Sequence, residues 1–400
     1  MMSNYCYIAC AGSGKSTHII NCAIEAFQKS TDHKKILVIT FTTNNQNNLK
    51  SRIINRLGYL PEKIVIVGWY HFLLTYWIKP YKGDVISKLY NEHIGLLLTN
   101  GHSGTKRDAS GRVYTTFAKG DLESKYLTTD NLIYSDRASE FAIECYKKNA
   151  INLINRLNTI FSHIYIDEAQ DLVGADFDIL KIILTTSEIF TTILADPRQH
   201  TYSTHAHHKY KNYAGRPDYF AKEKINNKRK TYININYTHL KTSHRCNNRI
   251  CIAASNLIPE YEAMEPCTCD SCHITDSYNK RAGCFLVKES YLEEFIAEYS
   301  PLALTDDKTV TVSNSISERM NFGECKGLER DTVLIYPTDP YRKWIKNKTT
   351  IQSYEAKSKF YVALTRARHT VGIVVPDDFQ TSNKDFPFWK EELTLFSDWD

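Results

Sequence analysis

The stretch "YIACAGSGKSTHII", residues 7–20, passes from an apolar segment through two glycines into residues whose apolar members recur at helical spacing. It reads as strand, turn and helix, with "YCYIA" the strand and "KSTHIINCAIEAFQ" the helix. That order suits a bound phosphate. Gly12 and Gly14 let backbone N–H groups wrap an anion, and the helix N-terminus presents its positive end to it. Lys15 then reaches the terminal phosphates, and Ser16 offers a hydroxyl to Mg²⁺. The candidate loop comprises Ala9, Cys10, Ala11, Gly12, Ser13, Gly14, Lys15, Ser16 and Thr17, with Ala9 where the pattern G-x-x-x-x-G-K-[ST] has its first glycine. A plain Gly-rich turn is the alternative reading of such a near-match standing alone.

Working outward, "KKILVITFTTNNQNN" carries a continuous apolar run from Ile36 to Phe41 leading into a polar loop, and "EKIVIVGWYHFLL" repeats the design. Strands alternating with helices imply an α/β fold with parallel sheets and with binding loops at the carboxyl ends of the strands. "HIYIDEAQDL" puts Asp167 and Glu168 just past a further strand. Two adjacent carboxylates can divide the work, Asp167 holding Mg²⁺ and Glu168 deprotonating a water, which points to hydrolysis. A helix N-cap is the structural alternative for such a pair.

Taken in order, these segments resemble the motifs of superfamily 1 DNA helicases of the UvrD, Rep and PcrA type. "ACAGSGKST", "VITFTTNN", "VGWYHF", "IDEAQD" and "LADPRQHTY" resemble motifs I to III. "LKTSHRCNNRICIAASNLI", "NFGECKGLERDTVLIY" and "KFYVALTRARH" resemble motifs IV, V and VI. The resemblance runs the length of the chain. It implies two RecA-like P-loop NTPase domains with parallel sheets and a small helical 1B-like insertion, with ATP and Mg²⁺ as cofactors. Gln199 would sense the terminal phosphate, and Arg245 and Arg366 would act as arginine fingers on it. Glu329, with Gly327 beside it, would contact the sugar. A cleft that closes on ATP and opens after hydrolysis gives a motor, which the family drives from 3′ to 5′ along single-stranded DNA or a 3′-tailed duplex. Phe41 and Tyr202 match its base-stacking positions, and Thr42, Asn44 and His71 its backbone contacts. Beyond Tyr202, residues 203–230 carry eight Lys or Arg against two acids, along with several tyrosines, which reads equally as an extended groove or a solvated surface.

The chain also departs from that pattern. Larger relatives read adenine with a glutamine motif ahead of motif I, yet none of the eight residues before Ala9 is a glutamine. Motif IV has His244 where a tyrosine usually stacks on the base; histidine offers a smaller face. About ninety residues separate "VGWYHF" from "IDEAQD", room for a reduced 1B-like insertion that includes "TNGHSGTKRDASGR". Only about seventy-five separate Arg245 of motif IV from Asn321 at the start of motif V, too few for a full 2B domain. The expected plan is therefore 1–75 and 157–230 for domain 1A, 76–156 for the insertion and 231–400 for domain 2A.

Composition bounds the rest. A chain of 400 residues, 42% hydrophobic and with a net charge of +5, fits a globular protein of two or three domains that tolerates a nucleic-acid partner. No apolar run long enough to span a bilayer and no secretory pattern appears, so the expected location is cytoplasmic, without membrane contact. Eleven scattered cysteines imply reduced thiols. Within "PCTCDSCH", Cys267, Cys269, Cys272 and His273 raise the question of zinc, but the cluster lacks a second half unless Cys284 joins it; an ordinary Cys-rich loop is the expectation. The C-terminal "FPFWKEELTLFSDWD" is expected to close a core with its aromatics. Compact UvrD-like proteins also resemble ATPase subunits that work beside nucleases, including OLD-type TOPRIM nucleases in antiphage systems such as Gabija. A regulatory subunit of a nuclease-containing antiviral defence complex is thus the alternative to an autonomous motor. Gln199 and Arg366 argue against a P-loop kinase or switch.

Overall fold

The computed structural model describes residues 3–99, 101, 103, 105–107, 110, 113–115, 117–118, 120–201, 209–269, 272, 282–307, 309–348, 351 and 353–390. The chain falls into two compact units. One comprises Met1–Tyr7, Ser16–Ala195 and Ser203–Asn236, and the other Ile8–Lys15, Asp196–Tyr202 and Tyr237–Asp400.

Strand β1 (Tyr5–Ala9), of which only Tyr5–Tyr7 fall in the first unit, is followed by β2 (Lys35–Thr40) and β3 (Ile64–Gly68), and the three strands alternate with the helices Lys15–Lys29 and Thr43–Leu57. The short strands β4 (Gly95–Leu97), β5 (Thr105–Arg107), β6 (Val113–Thr115) and β7 (Leu132–Tyr134) follow, β4 pairing with β7 and β5 with β6. After the long helix Ala138–Ile160 come β8 (Phe161–Ile166), β9 (Phe190–Ala195) and β10 (Asn234–Leu240). The main sheet has the order β10-β1-β9-β8-β2-β3. Strands β3, β2, β8 and β9 pair in parallel. Parallel strands bury both faces, and β2 shows it: every residue from Ile36 to Thr40 is buried. The strand stops at Thr40, one residue short of the apolar run, and Phe41 lies beyond its end. Thr42 starts the next helix by accepting the Asn45 N–H at 3.2 Å, and Gly58 closes it in the left-handed region at φ 80°.

The second unit adds β11 (Thr242–Ser243), β12 (Glu265–Pro266), β13 (Gly283–Lys288), β14 (Leu302–Thr305), β15 (Arg319–Asn321), β16 (Arg330–Tyr336) and β17 (Ala367–Val375). Five of these form a sheet ordered β13-β17-β16-β14-β15, with every neighbouring pair parallel. The α/β class with two parallel sheets is the arrangement expected of two RecA-like domains. Strands β12 to β15 occupy the chain between motifs IV and V, together with the helix Leu292–Tyr299; β13, β14 and β15 belong to the five-stranded sheet, while β12 pairs with β11. Phe295, Leu334, Val374 and Trp389 share one core, while Phe386 is buried against Trp344 at 5.7 Å between ring centres. The aromatics of residues 386–389 thus close a core, and residues 391–400 lie outside the described ones. Among the described residues no helix is long and apolar enough to cross a membrane. None of the eleven cysteines is joined in a disulfide.

Candidate nucleotide and nucleic-acid site

Residues 8–15 of the glycine loop belong to the second unit. Ala9, Cys10 and Ala11 are buried, and the loop then turns through Gly12 at φ 73° and Gly14 at φ 80°. Both angles lie where a side chain is strained. At Gly12 there is a second demand: a Cβ there would stand 2.6 Å from the Cβ of Arg245 and 2.7 Å from the Oγ of Ser243. The motif IV turn is held against this glycine by the His244 N–H, which donates to the Gly12 carbonyl at 2.9 Å. Ala11 N–H donates to the Tyr361 hydroxyl at 3.0 Å. The Ser13 hydroxyl is buried and has no hydrogen-bond partner among the described residues. Burial pushes the Cys10 thiol up to about 12, so it stays protonated and inert near neutral pH.

The turn after β9 brings further groups into the same unit. Gln199 donates to Asp196 at 2.6 Å, and the buried Arg198 donates to Asp196 at 3.2 Å, to the Ala9 carbonyl at 2.9 Å and to the Glu262 carbonyl at 3.0 Å. Arg366 is 1% exposed yet has no carboxylate partner among the described residues; it donates to the carbonyls of Val362 at 3.0 Å and Leu328 at 3.2 Å. Its Nη2 approaches the Gln199 side-chain oxygen Oε1 at 3.5 Å. Burial, reinforced by the charge of Arg245, pushes Arg366 down to about 10, still protonated at neutral pH. Such a buried, uncompensated guanidinium is a ready receptor for an anion. Arg245 instead donates to Glu329 at 2.9 Å and to the Thr365 carbonyl at 3.1 Å. Burial would raise the Glu329 carboxyl, but Arg245 and Arg368 hold it below its usual range. Gly327 sits in an open left-handed turn at φ 90°. The second unit therefore gathers the loop, Gln199, Arg245, Glu329 and Arg366.

In the first unit, Ser16 and Thr17 open the helix Lys15–Lys29, whose first turn has no acidic residue to oppose an anion. Asp167 follows β8, is 1% exposed and accepts the Glu168 N–H at 3.0 Å. Glu168 adopts the left-handed conformation at φ 52° and makes no side-chain cap bond to the turn Ala169–Asp171. The capping alternative does not account for it, and a non-glycine residue held there is characteristic of functional sites.

Among the candidate nucleic-acid contacts, Phe41 stacks on Trp69 with ring centres 6.2 Å apart and an angle of 19°. Trp69 is fixed in turn by its indole N–H donating to buried Asp176 at 2.9 Å. Thr42, Asn44 and His71 are exposed, Thr42 also serving as the helix cap. Tyr202 lies outside the described residues. In the basic stretch beyond it, the described tyrosines pack locally. Tyr210 and Tyr213 meet Phe220 at 5.0 and 5.5 Å, and Lys209 pairs with Asp178 at 2.5 Å.

Three residues of this arrangement carried no sequence signal of their own. Tyr361 reads as an apolar position in a helix, and Arg198 and Asp196 sit inside a motif whose glutamine drew the attention. A polar tip on a buried aromatic is visible in sequence only as Tyr in place of Phe. His244, assigned from the motif to the base, has its Nδ1 3.6 Å from the Cys272 sulfur.

Residues 2–78 match the family model of the UvrD/REP helicase N-terminal domain. The resemblance drawn from the first motifs thus has an independent match over that segment. Among curated proteins none matches this sequence. The structure is similar to that of Arterivirus nonstructural protein 10 (helicase), with 13% identity and a TM-score of 0.41, over 94% of this chain and 60% of that one. A complex of Arterivirus nonstructural protein 10 (helicase) with DNA is similar at 14% identity and a TM-score of 0.42, over 94% of this chain and 61% of that one. This chain therefore spans about 60% of the length of the solved helicases it matches.

Proposed function

We propose that the chain is an ATP-hydrolysing motor that moves from 3′ to 5′ on single-stranded DNA and opens 3′-tailed duplex, with Mg²⁺ as the metal. The observation that carries the reading is the buried Arg366 guanidinium, without a carboxylate partner among the described residues, in one unit with the glycine loop and Gln199. A positive charge kept out of water without a counterion is costly unless an anion completes it. The buried Ser13 hydroxyl, without a partner among the described residues, and the two positive-φ glycines also suit a phosphate chain.

In this reading Lys15 and the loop N–H groups bind the phosphates, and Ser16 and Asp167 hold Mg²⁺, which supplies charge neutralisation when bound. Glu168 takes the proton of the attacking water, Gln199 orients around the terminal phosphate, and Arg245 and Arg366 stabilise the charge that develops there. Glu329 and Gly327 serve the sugar. Phe41 supplies a stacking face for DNA and Tyr202 a second, with Thr42, Asn44 and His71 along the backbone. The domain plan that goes with it, 1A at 1–75 and 157–230, the insertion at 76–156 and 2A at 231–400, follows the order of strands and motifs along the chain, whereas residues 8–15 and 196–202 group by contact with the second unit.

The test is ATP turnover with and without single-stranded DNA for the native chain, Lys15→Ala and Glu168→Gln. DNA stimulates the native chain, and each substitution lowers the stimulated rate by roughly 10²-fold or more. Native turnover indifferent to DNA would sink the motor, and turnover that appears only with an added nuclease would favour the regulatory-subunit alternative. Strand displacement on 3′- and 5′-tailed duplexes reads the direction.

A further inference from the structure

The residue after β11 and the residue after β12 face one another because the two strands pair in parallel, Ser243 opposite Pro266. The register is locked by the Cys267 N–H donating to the Ser243 carbonyl at 2.9 Å. His244 and Cys267 therefore emerge side by side, and the chain beyond Cys267 returns Cys269 and Cys272 to the same spot. One ligand atom from each of His244, Cys267, Cys269 and Cys272 lies within 4.8 Å of every other. The Cys267 and Cys269 sulfurs are 3.2 Å apart, and the Cys272 sulfur is 3.6 Å from His244 Nδ1. The fourth member comes from a different segment, 28 residues before Cys272 in the chain. Cys284, by contrast, is buried within β13 and is not part of the group, and His273 lies outside the described residues.

We propose that His244, Cys267, Cys269 and Cys272 form a structural zinc site of the Cys₃His type. Tetrahedral zinc with Zn–S near 2.3 Å and Zn–N near 2.0 Å sets its ligand atoms about 3.8 Å apart for two sulfurs and about 3.5 Å apart for sulfur and nitrogen. The His244–Cys272 separation matches the second value, the Cys267–Cys269 pair must open by about 0.6 Å to match the first, and no pair of the four exceeds 4.8 Å. Three soft thiolates and an imidazole select zinc over the hard cations, which take oxygen ligands. Four protein ligands leave no open position for water, so the site is closed and its role is to hold structure.

What it holds follows from the neighbours. His244 also donates its N–H to Gly12, and Arg245 is the next residue. Binding zinc through the His244 ring fixes the turn that carries Arg245 against the glycine loop, and it withdraws His244 from stacking on a base. The proposal does not depend on which nucleotide or nucleic acid the chain uses.

The test uses the full chain, purified under reducing conditions and dialysed against metal-free buffer, with zinc measured by mass spectrometry. About one zinc per chain is expected. His244→Ala and Cys269→Ser should each lose at least about fivefold in bound zinc, whereas Cys284→Ser should keep it. Should the variants fail to fold, the native chain stripped of metal and reloaded with Co²⁺ gives a second reading: thiolate-to-cobalt charge transfer and the strong ligand-field bands of tetrahedral cobalt. Native protein without zinc and without those bands would overturn the proposal. So would full zinc retention in His244→Ala, or a disulfide among Cys267, Cys269 and Cys272 in zinc-supplemented native protein.

Discussion

Replacing Gly12 by alanine tests the close approach of the glycine loop to the motif IV turn. Two costs are expected. The backbone angle of 73° lies in the left-handed region, where an L side chain costs about 1–2 kcal/mol. The added methyl would also meet the Arg245 Cβ at 2.6 Å and the Ser243 hydroxyl at 2.7 Å. A Cβ is fixed to its backbone and cannot swing aside, so the turn itself must move, at an overpacking cost of about 1–3 kcal/mol. Gly327→Ala is the matched control: it lies in the same unit at φ 90°, with nothing within 4 Å of the added atom, and so carries only the backbone cost. Urea unfolding of the full chain without nucleotide, followed by tryptophan fluorescence, compares the two. With a denaturant slope of about 3 kcal/mol/M, Gly12→Ala should unfold roughly 0.3–1 M below Gly327→Ala. Equal midpoints would refute the reasoning, because only the approach of Arg245 and Ser243 distinguishes the two positions.

Tyr361→Phe removes the acceptor of the buried Ala11 N–H at 3.0 Å and should cost about 1–3 kcal/mol, read as a lower thermal midpoint; an unchanged midpoint would mean the bond contributes nothing. Burial pushes the Asp176 carboxyl up to about 6 even though it accepts bonds from Trp69, Ser139 and the Val173 N–H. The folded chain then keeps a proton that the unfolded chain releases near pH 4, so this contribution is full below about pH 4 and is lost as pH rises to about 6, by up to about 3 kcal/mol. Asp176→Asn should lack that slope in urea midpoints taken from pH 4 to 7, and parallel profiles for the two proteins would contradict it.

Much of the α/β design was legible because local rules and the fold agree. The run Ile36–Thr40 had to be buried on both faces, and the glycines of residues 12 and 14 had to end a strand and open a helix. The position of Glu168 after its strand could be read too, but not its left-handed backbone, which the turn to Ala169 imposes. The stretch between motifs IV and V reads as too short for a large insertion, and its described residues carry β12 to β15.

By itself the sequence determined the strand–glycine–helix entry, the alternation of strands and helices and the order of charged groups along the chain, since these rest on residue type and spacing over a few neighbours. The tertiary structure alone decided that Arg366 is buried without a carboxylate among the described residues, that Tyr361 caps the Ala11 N–H, and that His244 meets three cysteines. Those are contacts between distant segments. They depend on strand register, as in the pairing of Ser243 with Pro266, and register arises only when buried faces are matched across the sheet.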